Sequence, residues 1–429
     1  MNILLTGASG FVGHHILQAL EQKNHEVLAC CRTPKKLFFK SKNTRILQLN
    51  YNDMTNFTDW LPHLQNINAV INCVGIIAES KDQSFQALHA QVPAALFKAA
   101  EQAKVKKIIQ ISALGSDETA QSAYHLSKKS ADDALRNLDV EWYVLQPSII
   151  YGDGAQSMAL FHALAALPVH GLIDGGNQLM QPIHVNDVAA TIIQCLNPES
   201  PVKLTLPLVG PKALSFKQLL AQLRRRLGKK QAPTVSFSGE LAQRSVFIGK
   251  WLGEPAFNAE NIAMLRRGNS ADAGPISHFL GRSTQSLQKL LLLQPANQAE
   301  RWHAGLYFLR PLLRLSIAFL WMWSGIVSLF FFPQEQSYQF LSASGITGSA
   351  APVMLYGLAL MDIILGLATL LAYRIRPLIF FQLTIIFLYT LTITFTLPEF
   401  WLHPFGPVLK NIPLLATLLV YLNLEGEKP

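Results

Sequence analysis

Four stretches near the end of the chain, 311–332, 352–373, 377–397 and 405–424, are long and apolar enough to restrict everything else the chain can do. Each is near the ~20 residues an α-helix needs to cross the hydrocarbon core of a bilayer. Helices buried in a soluble core would be shorter and bordered by polar faces. The four are therefore expected to form an all-α transmembrane bundle within a membrane domain spanning 305–429. Charge follows the same division. From Gly305 onward six Lys/Arg face five Asp/Glu, so +8 of the formal net charge of +9 sits on the preceding residues. A basic domain beside a membrane is drawn to anionic head groups or to an anionic cofactor. It carries no arginine-rich block and no basic stripe interleaved with aromatics, so nucleic acid is not an expected partner.

Residues 1–150 alternate short β-rich runs with amphipathic stretches. Strands are predicted at Asn2–Thr6, Glu26–Cys31, Arg45–Leu49, Ala69–Cys73, Lys107–Ile111 and Glu141–Leu145, with helices at Phe11–Gln22, Phe85–Ala103 and Ser122–Leu138. Such alternation predicts an α/β, Rossmann-type doubly wound parallel sheet with right-handed crossovers. The opening run lacks a basic n-region and a small-residue cleavage site, so it reads as the first strand rather than a signal peptide. Residues 151–295 are more irregular. A helix over 186–196, a strand over Lys203–Leu208 and a helix capped by Ser215 mark them as a substrate-side lobe and connector, which closes a first domain of 1–295. Cys30, Cys31, Cys73 and Cys195 have neither disulfide-framework nor zinc spacing, which fits a reducing compartment.

The strongest chemical signal is Thr6-Gly7-Ala8-Ser9-Gly10-Phe11-Val12-Gly13, placed between an apolar strand and a helix. In that context Gly7 permits a tight turn, Gly10 lets a pyrophosphate approach the backbone, and Gly13 allows close helix–strand packing. Free N–H groups at the helix start would then meet the phosphates. After the second strand, where a carboxylate would bind a ribose 2′-hydroxyl, the chain reads Cys30-Cys31-Arg32-Thr33-Pro34-Lys35-Lys36. A guanidinium there suits a 2′-phosphate, so NADP(H) is expected over NAD(H). Tyr124 and Lys128 stand at i and i+4 on one helix face, and the ammonium is expected to lower the phenol pKa for general acid/base work. Ser112 ends the fifth strand, where its hydroxyl could hydrogen-bond a reacting carbonyl oxygen.

Together these motifs resemble the short-chain dehydrogenase/reductase superfamily over residues 1 to about 290. The glycine motif matches the extended/atypical type, and Ser112, Tyr124 and Lys128 match the catalytic set. Cys73-Val74-Gly75, Pro147-Ser148 and Gln181 to Ala189 are smaller matches. Ile111 to Gly115 and Leu208-Val209-Gly210-Pro211 resemble the atypical branch near the complex I accessory subunit. The resemblance implies cofactor contacts from Thr6 to Gly13, from Cys73 to Gly75, from Pro147 and Ser148, and from Lys128 to the nicotinamide ribose. Asn50 departs from the family pattern, which has Asp after the third strand. The last third resembles the DoxX-like membrane family through Trp321 to Gly325, Asp362, and the run from His403 through Pro407 to Pro413.

Arg301 and Arg310 precede the first span, Arg314 lies in its first turn, and Arg374 and Arg376 lie between the second and third. Positive-inside bias then expects a bacterial-type inner membrane with both termini and the nucleotide domain cytoplasmic. Asp362, near the middle of the second span, and Lys410, inside the fourth and nearer the outer surface, are expected either to pair inside the bundle or, for Lys410, to snorkel outward. Three functions fit the sequence: an NADP(H)-dependent oxidoreductase of a carbonyl, alcohol or quinone-like substrate; a non-catalytic NADP(H)-binding module with a membrane-protein partner; and a sugar-nucleotide epimerase or dehydratase.

Overall fold

The computed structural model describes residues 1–34, 42–80, 82–152, 154–244 and 259–425. Lys35, Lys36 and the C-terminal Lys428 fall outside the described residues. The chain divides into two compact units, Met1–Ala304 and Gly305–Pro429.

The first unit is built on seven parallel strands: β1 Asn2–Thr6, β2 Glu26–Cys31, β3 Thr44–Gln48, β4 Ala69–Asn72, β5 Lys107–Ile111, β6 Glu141–Pro147 and β7 Leu204–Leu208. Their order is β7-β6-β5-β4-β1-β2-β3. The central strands are buried on both faces, as their near-continuous Ile, Leu and Val content requires. The helices α1 Phe11–Gln22 and α4 Val185–Leu196 cover one face. The helices α2 Val92–Gln102 and α3 Ala123–Arg136 cover the other. Strand order reverses between β1 and β4, the switch point outside whose carboxyl ends ligands bind in such sheets.

Local sequence explains the boundaries. Ser122 caps α3 by accepting from the His125 N–H at 3.2 Å. Ser215 and Gln218 form a reciprocal capping box at the start of the helix Phe216–Arg226. The continuous helix predicted over Phe85–Ala103 instead opens with a widened π-helical turn, Gln86–Gln91, before α2. Pro93 is the physical reason: it has no N–H to give residue 89, so the regular hydrogen-bond ladder is interrupted there.

In the second unit, α5 Leu309–Ile326 continues through the wide turn Val327–Phe331. It is followed by α6 Ala350–Leu370, α7 Ile375–Thr396 and α8 Asn411–Leu424. The first three are long and apolar enough to cross a membrane. The expected fourth span begins six residues late. Pro404, Gly406 (φ +51°) and Pro407 hold 404–410 in turns, and the remaining 14-residue helix is about 21 Å long. Phe330, Val353 and Phe395 stand outward, each over 70% exposed, as lipid-facing side chains do.

Inside the bundle α5 and α6 meet at glycines. A Cβ on Gly325 would stand 2.4 Å from the Ala359 carbonyl oxygen, and one on Gly366 would stand 2.4 Å from Met322 Cγ. Such small-residue contacts drive helix association where no hydrophobic force separates helix from lipid. Beside them Ser324 Oγ donates to Asp362 at 3.0 Å, and Asp362 is buried. Asp362 therefore turns inward, but its partner is Ser324. Lys410 is exposed at the N-cap of α8, and among the described residues no ion pair joins the two. The hydroxyl is nearer to hand and costs no second desolvated charge.

The contact yields a paired prediction. Gly325→Val should lower the melting temperature of the detergent-solubilised chain by the equivalent of about 1–3 kcal/mol of overpacking. Gly357→Val, with nothing within 4 Å of its added Cβ, should leave it nearly unchanged. Equal melting of both variants would show that the α5–α6 contact does not hold the bundle.

Candidate functional site

The site forms where β1, β4, β5 and β6 end. Register pairs Thr6 with Asn72 and Ile111 with Leu145, so the loops beginning at Gly7, Cys73, Ser112 and Ser148 leave the sheet along one edge. The turn from β1 into α1 is dictated by two glycines. Gly7 has φ +69°, and a Cβ on it would stand 3.0 Å from the Cys73 carbonyl group. A Cβ on Gly13 would stand 2.2 Å from the Gly7 carbonyl oxygen, closer than any side chain allows. Gly10 is the N-cap, and no side chain caps the first amides of α1. The Gly10 N–H closes the turn by donating to the Gly7 carbonyl oxygen at 2.9 Å, and Ser9, Phe11 and Val12 frame the cradle around it at a positive helix end, which fits the diphosphate of a dinucleotide. Thr6 lies under this cradle rather than in it. Its hydroxyl donates to Asn72 Oδ1 at 2.5 Å, Tyr51 donates to the same oxygen at 2.9 Å, and Asn72 donates to Gln110 at 2.7 Å.

Arg32 is exposed immediately after β2, on the side of the cradle where an adenosine ribose would end. Asn50, in the position of the missing acid after β3, donates to both oxygens of Asp53 at 3.1 Å.

Across the switch point, α3 presents Tyr124 and Lys128 toward the same edge. Lys128 is buried, and its Nζ donates to the carbonyl oxygens of Val74 and Ile111, both at 3.2 Å. Burial holds this ammonium below the usual lysine range, against the opposing pull of Asp132 and Cys73. Tyr124 packs edge-on against Phe85, His89 and His125. Burial, and then the Asp132 charge, push its phenol up to about 12. The lowered phenol expected from the lysine is therefore not what this arrangement produces, because the ammonium is aimed at backbone carbonyls. Ser112 also differs from expectation: its hydroxyl donates its one proton to Asp132 at 2.5 Å and is buried. It supports Asp132, whose carboxyl burial pushes upward, rather than reaching for a carbonyl. Ser148 likewise donates to the Gln181 carbonyl oxygen at 2.6 Å, at the end of β6 beyond Pro147. Burial raises the Cys73 thiol to about 12, so it is no nucleophile.

Two residues that sequence reasoning missed complete the site. Asp132 lies one turn after Lys128, where an i,i+4 acid–base pair on the face of α3 was the available signal. His89 had no such signal. The wide turn before α2 buries it completely, its Nε2 accepts from the Ile76 N–H at 2.9 Å, and its Nδ1 lies 3.1 Å from Ser127 Oγ. Since Ile76 can only donate, the ring proton sits on Nδ1 and passes the chain on to Ser127, which donates to the Tyr124 carbonyl oxygen at 2.8 Å. A neutral imidazole thereby ties the loop after β4 to the helix of Tyr124. On the lobe side, Arg267 donates to the Gly115 carbonyl oxygen at 2.8 Å and to both Asp117 oxygens, and Glu260 accepts from the Ala123 N–H at 2.7 Å. These contacts seat the helix Ala259–Arg267 beside the start of α3.

Comparison with known proteins agrees with this architecture. Residues 7–199 match the NAD(P)H-binding family and residues 318–419 match the DoxX-like family. The chain is similar to the mitochondrial NADH dehydrogenase [ubiquinone] 1 alpha subcomplex subunit 9 of Arabidopsis thaliana. They are 26% identical over 223 residues, covering 50% of this chain and 54% of that protein. It is also similar to the ceramide reductase of Caulobacter vibrioides, at 26% over 193 residues, covering 44% of this chain and 59% of that one. The match thus spans little more than half the length of these relatives. Among solved structures, an NADPH-dependent quinone oxidoreductase of Escherichia coli superposes with a TM-score of 0.54 at 20% identity, covering 68% of this chain and 99% of that one. That last likeness is one of fold. Residues 7–199 thus resemble NAD(P)H-binding proteins and residues 318–419 resemble DoxX-like proteins, joined in one chain.

The buried imidazole makes stability depend on pH in a defined direction. Burial, reinforced by Lys128, holds His89 at about 2 against 6.5 in an open chain. The unfolded state therefore gains a proton below about 6.5 that the folded state refuses, so this contribution is full above that pH and is lost as pH falls. The parent should lose about 1.4 kcal/mol per pH unit relative to His89→Gln between about pH 6 and pH 4. Parallel melting curves for the two proteins across that range would contradict a neutral buried His89.

Proposed function

We propose that the chain is a membrane-anchored, NADP(H)-dependent reductase of a carbonyl compound, with Tyr124 as the proton donor. The observation that carries this is the placement of a half-buried, protonated phenol and a buried ammonium on one helix face beside the loops after β4 and β5. The bound dinucleotide would supply hydride to the carbonyl carbon. The protein's own part is the proton. A phenol held near 12 keeps its proton at neutral pH, and it remains a stronger acid than the alcohol being formed, so the arrangement favours reduction over oxidation. Lys128 fixes the carbonyl groups of Val74 and Ile111, and Ser112 orients Asp132 behind it.

Arg32, with no carboxylate after β2, supports NADP(H) over NAD(H). Similarity to a ceramide reductase, together with the apolar spans, supports a lipid-like carbonyl substrate. Arginines 310, 314, 374 and 376 at the ends of α5, α6 and α7 support a cytoplasmic nucleotide domain in an inner (cell) membrane. A second reading, a non-catalytic nucleotide-binding module within a membrane assembly, is favoured by one observation: the Ser112 hydroxyl is already claimed by Asp132. Likeness to a complex I subunit fits that reading, and a protein partner follows from it.

One measurement separates the readings, and a second tests the cofactor. NADPH oxidation by the full chain in lipid nanodiscs, surveyed over long-chain ketones and quinones, should reveal turnover, and Tyr124→Phe should reduce it by about 10²–10⁴-fold with nucleotide affinity nearly intact. Undiminished turnover in the variant would remove Tyr124 from the mechanism. In nucleotide titrations NADPH should bind more tightly than NADH, and Arg32→Ala should abolish most of that difference, worth about 1.5–3 kcal/mol for one charge-assisted contact. Equal affinities in the parent would contradict the assignment of Arg32.

A further inference from the structure

One end of the first unit combines features that nothing in the nucleotide site uses. Arg226, at the end of the helix Phe216–Arg226, donates to the Gln294 carbonyl oxygen at 2.8 Å and to Glu300 at 2.8 Å. It thereby binds the helices Leu287–Leu293 and Gln298–Leu306 to its own. A Cβ on Gly228 would lie 3.9 Å from the Arg301 guanidinium, so the turn after Arg226 joins the same surface. Out of this surface stand Leu292, Leu293 and Trp302, exposed by 71%, 69% and 62%. Arg225, Lys229, Lys230 and Arg301 are exposed around them. Residues 224–230 and 287–304 together hold seven Lys/Arg and a single carboxylate, Glu300, which Arg226 already pairs.

We propose that this face rests on the membrane surface, with Leu292, Leu293 and Trp302 in the head-group boundary and the four exposed cations on anionic lipid phosphates. The inference rests on the reading of α5–α7 as membrane spans. Trp302 is seven residues from Leu309, where the first span begins, so even a fully extended connection keeps it within about 25 Å of the point of entry. Tryptophan and leucine flanked by Lys and Arg form the composition that lies in a bilayer interface. A second copy is the poorer occupant, because a self-complementary contact would set cation against cation. The consequence is that the nucleotide domain has a fixed face toward the lipid, with a grip that weakens as anionic lipid is removed or salt is added.

The test uses the full chain in nanodiscs, with bimane attached at Leu293→Cys, at Val202→Cys elsewhere on the first unit, and at Phe395→Cys on the bundle. Label taken up by the parent cysteines is subtracted. In phosphatidylglycerol-containing discs, lipids spin-labelled near the head group should quench the Leu293 label roughly twofold more than the Val202 label. Replacing Arg225, Lys229, Lys230 and Arg301 by Gln, or using phosphatidylcholine alone, should remove most of that excess. Quenching at Phe395 with none in excess at Leu293 overturns the proposal while the membrane reading stands. No quenching at Phe395 overturns both. A Leu293 emission shift that depends on protein concentration and not on quencher assigns the face to a second copy and also overturns it.

Discussion

A buried ammonium holds the nucleotide domain's working edge together. Lys128 reaches from the middle of α3 to two backbone carbonyl groups, Val74 beyond β4 and Ile111 at the end of β5. It joins that helix to the ends of both β4 and β5. The charge is nearly shut away from water, which is costly unless acceptors are in place. The two carbonyl oxygens and the nearby Asp132 make burial tolerable. Asp132 in turn needs the Ser112 hydroxyl, which explains why that serine faces inward. His89 closes the same loop from the other side, through Ile76 and through Ser127. Tyr124 is positioned by all of these without hydrogen-bonding any of them through its phenol, which leaves that group available to a substrate.

The membrane unit obeys a different constraint. Lipid offers no hydrogen bonds, so polar side chains in the bundle turn to one another or back to their own helix. Ser324 finds Asp362, Gln382 donates to Thr369 at 2.7 Å, and Asn411 donates to Thr390 at 2.9 Å. Glycines at 325 and 366 permit the approach on which the first of these depends.

Much of this was legible in the chain. β1, β2, β5 and α1 lie where periodicity and punctuation put them, and Ser215 caps the helix it was expected to cap. Gly13 was readable because its constraint is local, six residues from the carbonyl it would strike. What was not legible depended on tertiary geometry. The direction of Lys128 Nζ is set by carbonyl groups 54 and 17 residues away, and with it went the expected lowering of the Tyr124 phenol. The partner of Ser112 is 20 residues distant. His89 looked like an ordinary helical residue, although Pro93 was there to warn of a broken ladder. In the bundle, the Asp362–Lys410 alternative failed because side-chain depth was inferred from position in an apolar run, and the turns at Pro404 to Pro407 shift Lys410 to a helix end.

The central claim, that the cradle at α1 and the phenol at Tyr124 serve one bound dinucleotide, is tested most directly by an electron cryo-microscopy map of the full chain with NADPH in nanodiscs. The account predicts diphosphate density at the amides of Phe11 and Val12, the 2′-phosphate at Arg32 and the nicotinamide beside Tyr124. A nicotinamide turned away from Tyr124, or a diphosphate bound elsewhere, would contradict it.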